Sequence, residues 1–167
     1  QSLFGTDEWI MRLPFIIASS FGLYFFYRFF NVFWSTSICT VFLILCNFLY
    51  FFIPHTLFAR PYAFAFFFTG LSLLGVRYLL TYKRFYWKSI LIMTIGWTGI
   101  LYSHYFASLF ALWLAMCLLF IVPVKKWISL LLSGGIAGLL FLPHLSITLH
   151  HLHQGGLGWL PPPDNDF

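Results

Sequence analysis

Apolar residues fall along this chain in runs about as long as a bilayer is thick, and polar residues gather at the breaks between them. A membrane-crossing helix needs about 20 consecutive apolar residues, with a range of roughly 17–25. On that basis the runs at 11–32, 36–53, 62–80 and 127–149 each predict one helix. Arg12-Leu13-Pro14 opens the first run, where proline is tolerated in an initial helical turn, and Pro54 closes the second. Tyr82–Lys88 ends the third, and Lys125-Lys126 precedes the last.

The run over 89–124 is too long for one crossing. As a single helix it would measure about 54 Å at about 1.5 Å per residue, against a hydrocarbon core of about 30 Å. Two helices, at 89–103 and 106–123, are each slightly short, which local thinning or a buried position in the bundle absorbs. The polar cluster Ser103-His104-Tyr105 then marks a turn.

Charge decides between the two readings. With the turn, Arg28, Arg77, Lys83, Arg84, Lys88, Lys125 and Lys126 fall on one side and only Arg12 and Arg60 on the other. Without it, the two lysines at 125 and 126 cross over and the bias almost vanishes. Cytoplasmic loops are enriched in Lys and Arg, so the turn is selected and the basic side is cytoplasmic. The expected fold is an all-α, polytopic transmembrane helix bundle of about six spans with both ends external, residues 1–167 forming a single transmembrane domain. All six histidines (55, 104, 144, 150, 151, 153) and all four acids (Asp7, Glu8, Asp164, Asp166) then lie toward the external face. Trp9 and Trp159 mark that interface, and Trp34, Trp87 and Trp127 the cytoplasmic one.

Composition agrees with a bilayer environment. At 61% hydrophobic and 8% charged residues, no soluble domain of this length could bury so much apolar surface. The net charge of +5 comes from cations scattered singly between spans, so no nucleic-acid partner is expected. Arg28 and Arg77 read as snorkelling anchors. Cys39, Cys46 and Cys117 read as packing residues. Gly134 and Gly138 form a small-xxx-small face that predicts close helix packing inside the bundle, with a dimer interface as the alternative. His150-His151-Leu152-His153 lacks the paired spacing of a helical zinc site, so it reads as a solvated helix end, and no cofactor is expected. The chain opens without Met and lacks a signal peptide, as a piece of a longer protein would.

Four external segments carry a family resemblance. LFGTDEWIMRLPF resembles the lead into a transmembrane helix of polytopic GT-C glycosyltransferases, in the family 39 or dolichyl-phosphate-mannose mannosyltransferase-like branch, matching Glu8 and Arg12. FARPYAF is similar to that family's Arg-x-Tyr stretch, matching Arg60 and Tyr62. LYSHYFA resembles its Tyr-Ser/Thr-His-Tyr turn, matching His104 and Tyr105, and GLGWLPPP its Trp-x-Pro-Pro loop entrance, with Trp159. The resemblance implies transfer of a sugar from a polyprenyl-phosphate-linked donor to a lipid, glycan or protein acceptor on the external face. It implies substrate binding by Glu8, Arg12, Arg60, Tyr62, His104, Tyr105 and Trp159. The family's acidic residue in its first external loop and its His-Pro-Pro-like segment have no counterpart here, so no catalytic carboxylate is assigned.

Chemistry fits those assignments. A guanidinium forks onto phosphate oxygens, and Arg12 and Arg60 sit at predicted helix starts whose N–H groups also favour anions; interfacial anchoring is their plainer role. His104 can donate to a phosphate or sugar hydroxyl, Tyr105 can stack on a sugar or prenyl group, or both simply close the turn. Expected partners are membrane lipids, the polyprenyl-phosphate-sugar donor, and a protein partner or the remainder of the same chain. Multi-pass residence in a bacterial inner membrane is favoured over the endoplasmic reticulum. The competing reading is a non-catalytic integral-membrane subunit of a larger assembly. A transporter is disfavoured because no span carries a charge near its middle.

Overall fold

The computed structural model describes residues 8–48, 61–81 and 87–153. Six α-helices occupy them: α1 (Glu8–Phe30), α2 (Thr36–Phe48), α3 (Tyr62–Thr81), α4 (Trp87–Ser103), α5 (Tyr105–Ile121) and α6 (Trp127–His153), the last preceded by a 3₁₀ turn at Val124–Lys126. No strand occurs among the described residues. Three segments, Trp9–Phe30, Tyr62–Thr81 and Val124–His151, are long and apolar enough to cross a membrane, whereas Thr36–Phe48 and Phe106–Ile121 are apolar but shorter. The described residues are thus all-helical, with three helices that have the length and apolar composition of membrane spans.

Helix α3 lies at the centre, between α1 and α4. Phe15 meets Phe64 edge-on at 5.1 Å and Phe25 meets Phe67 at 5.6 Å, so α1 and α3 run parallel. Glycines set the spacing. A Cβ on Gly70 would come 2.9 Å from the Gly22 carbonyl oxygen, and one on Gly96 would come 2.6 Å from the Ser72 backbone nitrogen. Gly75 lies against Met93 and Gly99 against Phe68, so α3 and α4 run antiparallel. Ser89 ties the two helices by donating its buried hydroxyl to the Gly75 carbonyl at 2.9 Å. With no hydrophobic force between helices in lipid, close backbone approach of this kind holds them together.

Helix α6 runs parallel to α4, as shown by Thr94 donating to the Ser133 carbonyl at 3.5 Å and Tyr102 to the Leu140 carbonyl at 3.0 Å. Helix α5 returns along α4, which itself packs directly on α6, and α2 touches the bundle mainly through α1, with Phe42 edge-on to Phe30 at 5.3 Å. Chain direction therefore alternates from α3 through α6. Within the described residues, Arg28, Arg77, Lys88, Lys125 and Lys126 collect at one end of the bundle and Arg12 at the other.

One expectation needs correcting, and two residues gain contacts that the sequence did not show. Gly134 and Gly138 do not pack inside the bundle: a Cβ on either, or on Gly135, would meet nothing within 4 Å. The reason is that α5 leans on α4 and hardly touches α6, leaving a groove over these glycines. Trp127 is more than an interfacial residue, because its indole N–H donates to the Leu119 and Val122 carbonyls at 3.1 and 2.9 Å and caps the end of α5. Arg28 donates to the Tyr24 hydroxyl at 2.7 Å, and Arg77, half-buried, holds its Nε without a partner among the described residues.

Candidate functional site

The site begins with the break between α4 and α5. Ser103 ends α4, and His104 adopts an extended backbone (φ −166°, ψ 145°) as the N-cap of α5. The Phe106 N–H donates to His104 Nδ1 at 3.2 Å, which fixes that nitrogen as an acceptor. Where water is scarce, each freed backbone group needs a partner. Ser103 donates to the Gly99 carbonyl at 2.6 Å, and Ser108 reaches the Leu101 and His104 carbonyls at 3.4 Å. The expected turn is therefore present, and its polar side chains hydrogen-bond to its backbone.

His104 does a second thing. Its ring lies 5.0 Å from that of Tyr62 at the start of α3, and 5.5 Å from that of Phe106, on which it stacks. Beneath the Tyr62–His104 pair a cleft of about 450 Å³ opens between α1, α3 and α5. Phe26, Phe66 and Phe110 line it together with Tyr62, His104 and Thr69, and the Thr69 hydroxyl donates to the Ala65 carbonyl at 2.8 Å in its own helix. The cleft is apolar inside and polar at its mouth.

Tyr102 points away from His104. It pairs with His144 at 5.1 Å and Phe141 at 5.4 Å on α6. From Leu140, which receives the Tyr102 hydroxyl, α6 continues to His153, about 20 Å of helix at about 1.5 Å per residue. The His104 turn is thus recessed well below the end of α6.

Of the residues expected to bind substrate, Tyr62 and His104 are brought together. Arg12 sits half-buried one turn before Phe15, and since Phe15 faces Phe64, Arg12 lies near the level of Tyr62. Glu8 and Tyr105 open α1 and α5, their side chains being outside the described set, and Arg60 and Trp159 lie outside the described residues. The phenylalanines of the cleft and the Tyr102–His144 pair escaped the sequence reading. In a chain with 23 phenylalanines, nothing local separates a cleft-lining ring from a lipid-facing one. His150 and His151 stand 6.1 Å apart at the end of α6, and no group of three metal-ligating side chains converges among the described residues. No protein-family model, curated protein or solved structure matches the chain.

The His104 cap carries a direct prediction. His104→Ala removes the acceptor for the Phe106 N–H and destabilises the fold by about 1 kcal/mol, the usual loss for an N-cap. His104→Asn supplies a carbonyl oxygen at similar reach and recovers most of it. Thermal midpoints in a mild detergent and hydrogen exchange at the Phe106 amide measure both; equal losses in the two variants would remove the cap from the account.

Proposed function

We propose that this chain is the membrane module of a glycosyltransferase that uses a polyprenyl-phosphate-linked sugar, with its site at the turn end of the bundle. The observation that carries the reading is the Tyr62–His104 pair set over an apolar cleft. A lipid-linked donor has that division: an anionic, hydroxyl-rich head and a long hydrocarbon tail. Three of the four resembling segments meet at the same end, since Glu8, Arg12, Tyr62 and His104 all belong to it. Cations crowd the opposite end, which supports an orientation with the site external and both chain ends external, and six crossings in a multi-pass plasma-membrane protein. Head-group recognition would fall to Arg12 and Arg60 as guanidiniums and to His104 and Tyr62 at the cleft mouth. The carboxylate base is supplied from outside the residues assigned here.

A photoreactive polyprenyl phosphate tests the reading without requiring turnover. In phosphatidylcholine nanodiscs it is expected to label peptides from α3 and α5, and unlabelled polyprenyl phosphate is expected to compete while the corresponding polyprenol is not. Hydrogen bonds to a charged group are worth about 1.5–3 kcal/mol, so Arg12→Gln is expected to weaken labelling about tenfold or more. Labelling indifferent to the phosphate would overturn the proposal.

A further inference from the structure

Phe106 donates its backbone N–H to His104 Nδ1 at 3.2 Å, and a ring nitrogen that accepts a hydrogen bond carries no hydrogen of its own. The neutral ring therefore holds its hydrogen on Nε2, and Nδ1 is the only place left for a second proton. That proton would point at the Phe106 N–H, hydrogen against hydrogen. His153 is the counterexample within the chain. Its Nδ1 stands 2.8 Å from the Leu149 carbonyl, an acceptor, so that bond survives a charged ring. At His104 the cap and the charge exclude one another.

The rest of the turn does not depend on that lone pair. The Ser108 N–H donates to the His104 carbonyl at 3.1 Å, a bond the ring takes no part in. The rings of Tyr62 and Phe106 flank the imidazole at 5.0 and 5.5 Å, and aromatic faces attract a cation. A charged ring thus keeps its neighbours while losing its place as the cap. Tyr62, His104 and Phe106 all line the cleft, so the change falls at its mouth. Of the titratable and charged groups on the helices packed there, the Tyr62 phenol on α3 is in ring contact and the Arg12 guanidinium on α1 lies near the same level. Tyr102 on α4 turns the other way, to His144 on α6, and the described side chains in the first turn of α5 bring none.

We propose that His104 is a proton-operated latch on the first turn of α5. Neutral, it caps the helix and holds the cleft mouth in the arrangement described above. Protonated, it turns Nδ1 away from Phe106, frees that N–H and shifts its ring at the cleft mouth. Histidine is the side chain whose ordinary charge change falls between pH 5 and 8, so mild acid releases the latch. The direction follows from the geometry: the cap is present while the ring is neutral and is lost as the pH falls. The latch depends on the turn alone and holds whatever the cleft binds.

The test uses the full chain in phosphatidylcholine nanodiscs at about pH 8 and about pH 5, the two sides of the histidine range. Hydrogen exchange at the Phe106 amide is divided by the intrinsic rate at each pH. Protection there is expected to fall about fivefold in acid, which converts to the roughly 1 kcal/mol that an N-cap contributes. His104→Asn, which caps without titrating, is expected to keep its protection across the range, and His104→Ala to show the low value at both ends. The remaining histidines are present in every variant, so the comparison isolates position 104. Nitrogen-15 spectra of the unsubstituted ring give a readout that needs no variant, with a bare Nδ1 and a hydrogen on Nε2 expected in the neutral form. A neutral ring with its hydrogen on Nδ1, or an equal acid loss in the unsubstituted chain and in His104→Asn, leaves no latch at this turn.

Discussion

Gly96→Ala is expected to lower the thermal midpoint of this protein sharply, while the same substitution at Gly135 is expected to raise it. At Gly96 the new methyl would stand 2.6 Å from the Ser72 backbone nitrogen and 2.8 Å from its Cα, and backbone atoms cannot rotate aside as a side chain can. Ser72 is fully buried and α3 is packed on α1 through Gly70 and Gly22, so α3 has little freedom to retreat. Overpacking costs about 1–3 kcal/mol, and the rigidity of this contact puts Gly96→Ala near the upper figure. Separating α3 from α4 would also strain the Ser89–Gly75 bond one end of the contact depends on. At Gly135 the methyl meets nothing, and alanine's better helix propensity is expected to stabilise the chain by about 1 kcal/mol. Thermal melts of the two variants in the same detergent decide the matter. If both fall alike, α6 is packed at its glycine face and the groove does not exist in solution.

The contrast between those glycines also shows where sequence reasoning stops. The six helices were legible because each rests on a one-dimensional quantity: the length of an apolar run against the thickness of a bilayer. The break at His104 was legible for a different reason. A charge bias is a global constraint, so two lysines twenty residues away can report on a turn, and α4 does end at Ser103. Helix packing has no such shorthand. Gly75 and Gly135 look alike along the chain, yet Gly75 meets Met93 on α4 while Gly135 faces the gap that α5 leaves beside α6. The same limit governs the site. His104 was singled out because a polar residue in an apolar run is conspicuous, yet its meeting with Tyr62 follows from α3 and α4 being antiparallel. Phe26, Phe66 and Phe110 carry no local mark, and only their convergence makes a cleft.

At the opposite end of the bundle, Lys126→Met is expected to destabilise the fold by about 1.5–3 kcal/mol, the worth of a hydrogen bond to a charged group. Lys126 Nζ donates to the carbonyls of Leu79 and Leu80, the last turn of α3, from the 3₁₀ turn before α6. The final carbonyls of a helix have no partner within it, and a cation there also meets the negative end of the helix dipole. Methionine keeps most of the apolar stem while removing the ammonium, so the loss isolates the polar contact. Lys125→Met is the matched control. Lys125 is exposed in the same 3₁₀ turn, and its loss removes the same unit of charge from the same end of the bundle. A fold held by net charge alone would respond equally to both substitutions, whereas a cap on α3 responds only at position 126, the exposed site changing by less than about 0.5 kcal/mol. The lock matters for the far end too. Lys126 joins α3 to the start of α6, and its neighbour Trp127 joins that start to α5, so the two residues fix the lower ends of the helices whose upper ends carry Tyr62 and His104. Loosening it should therefore widen the cleft mouth, read as weaker labelling of α3 and α5 by the polyprenyl-phosphate probe in Lys126→Met than in Lys125→Met.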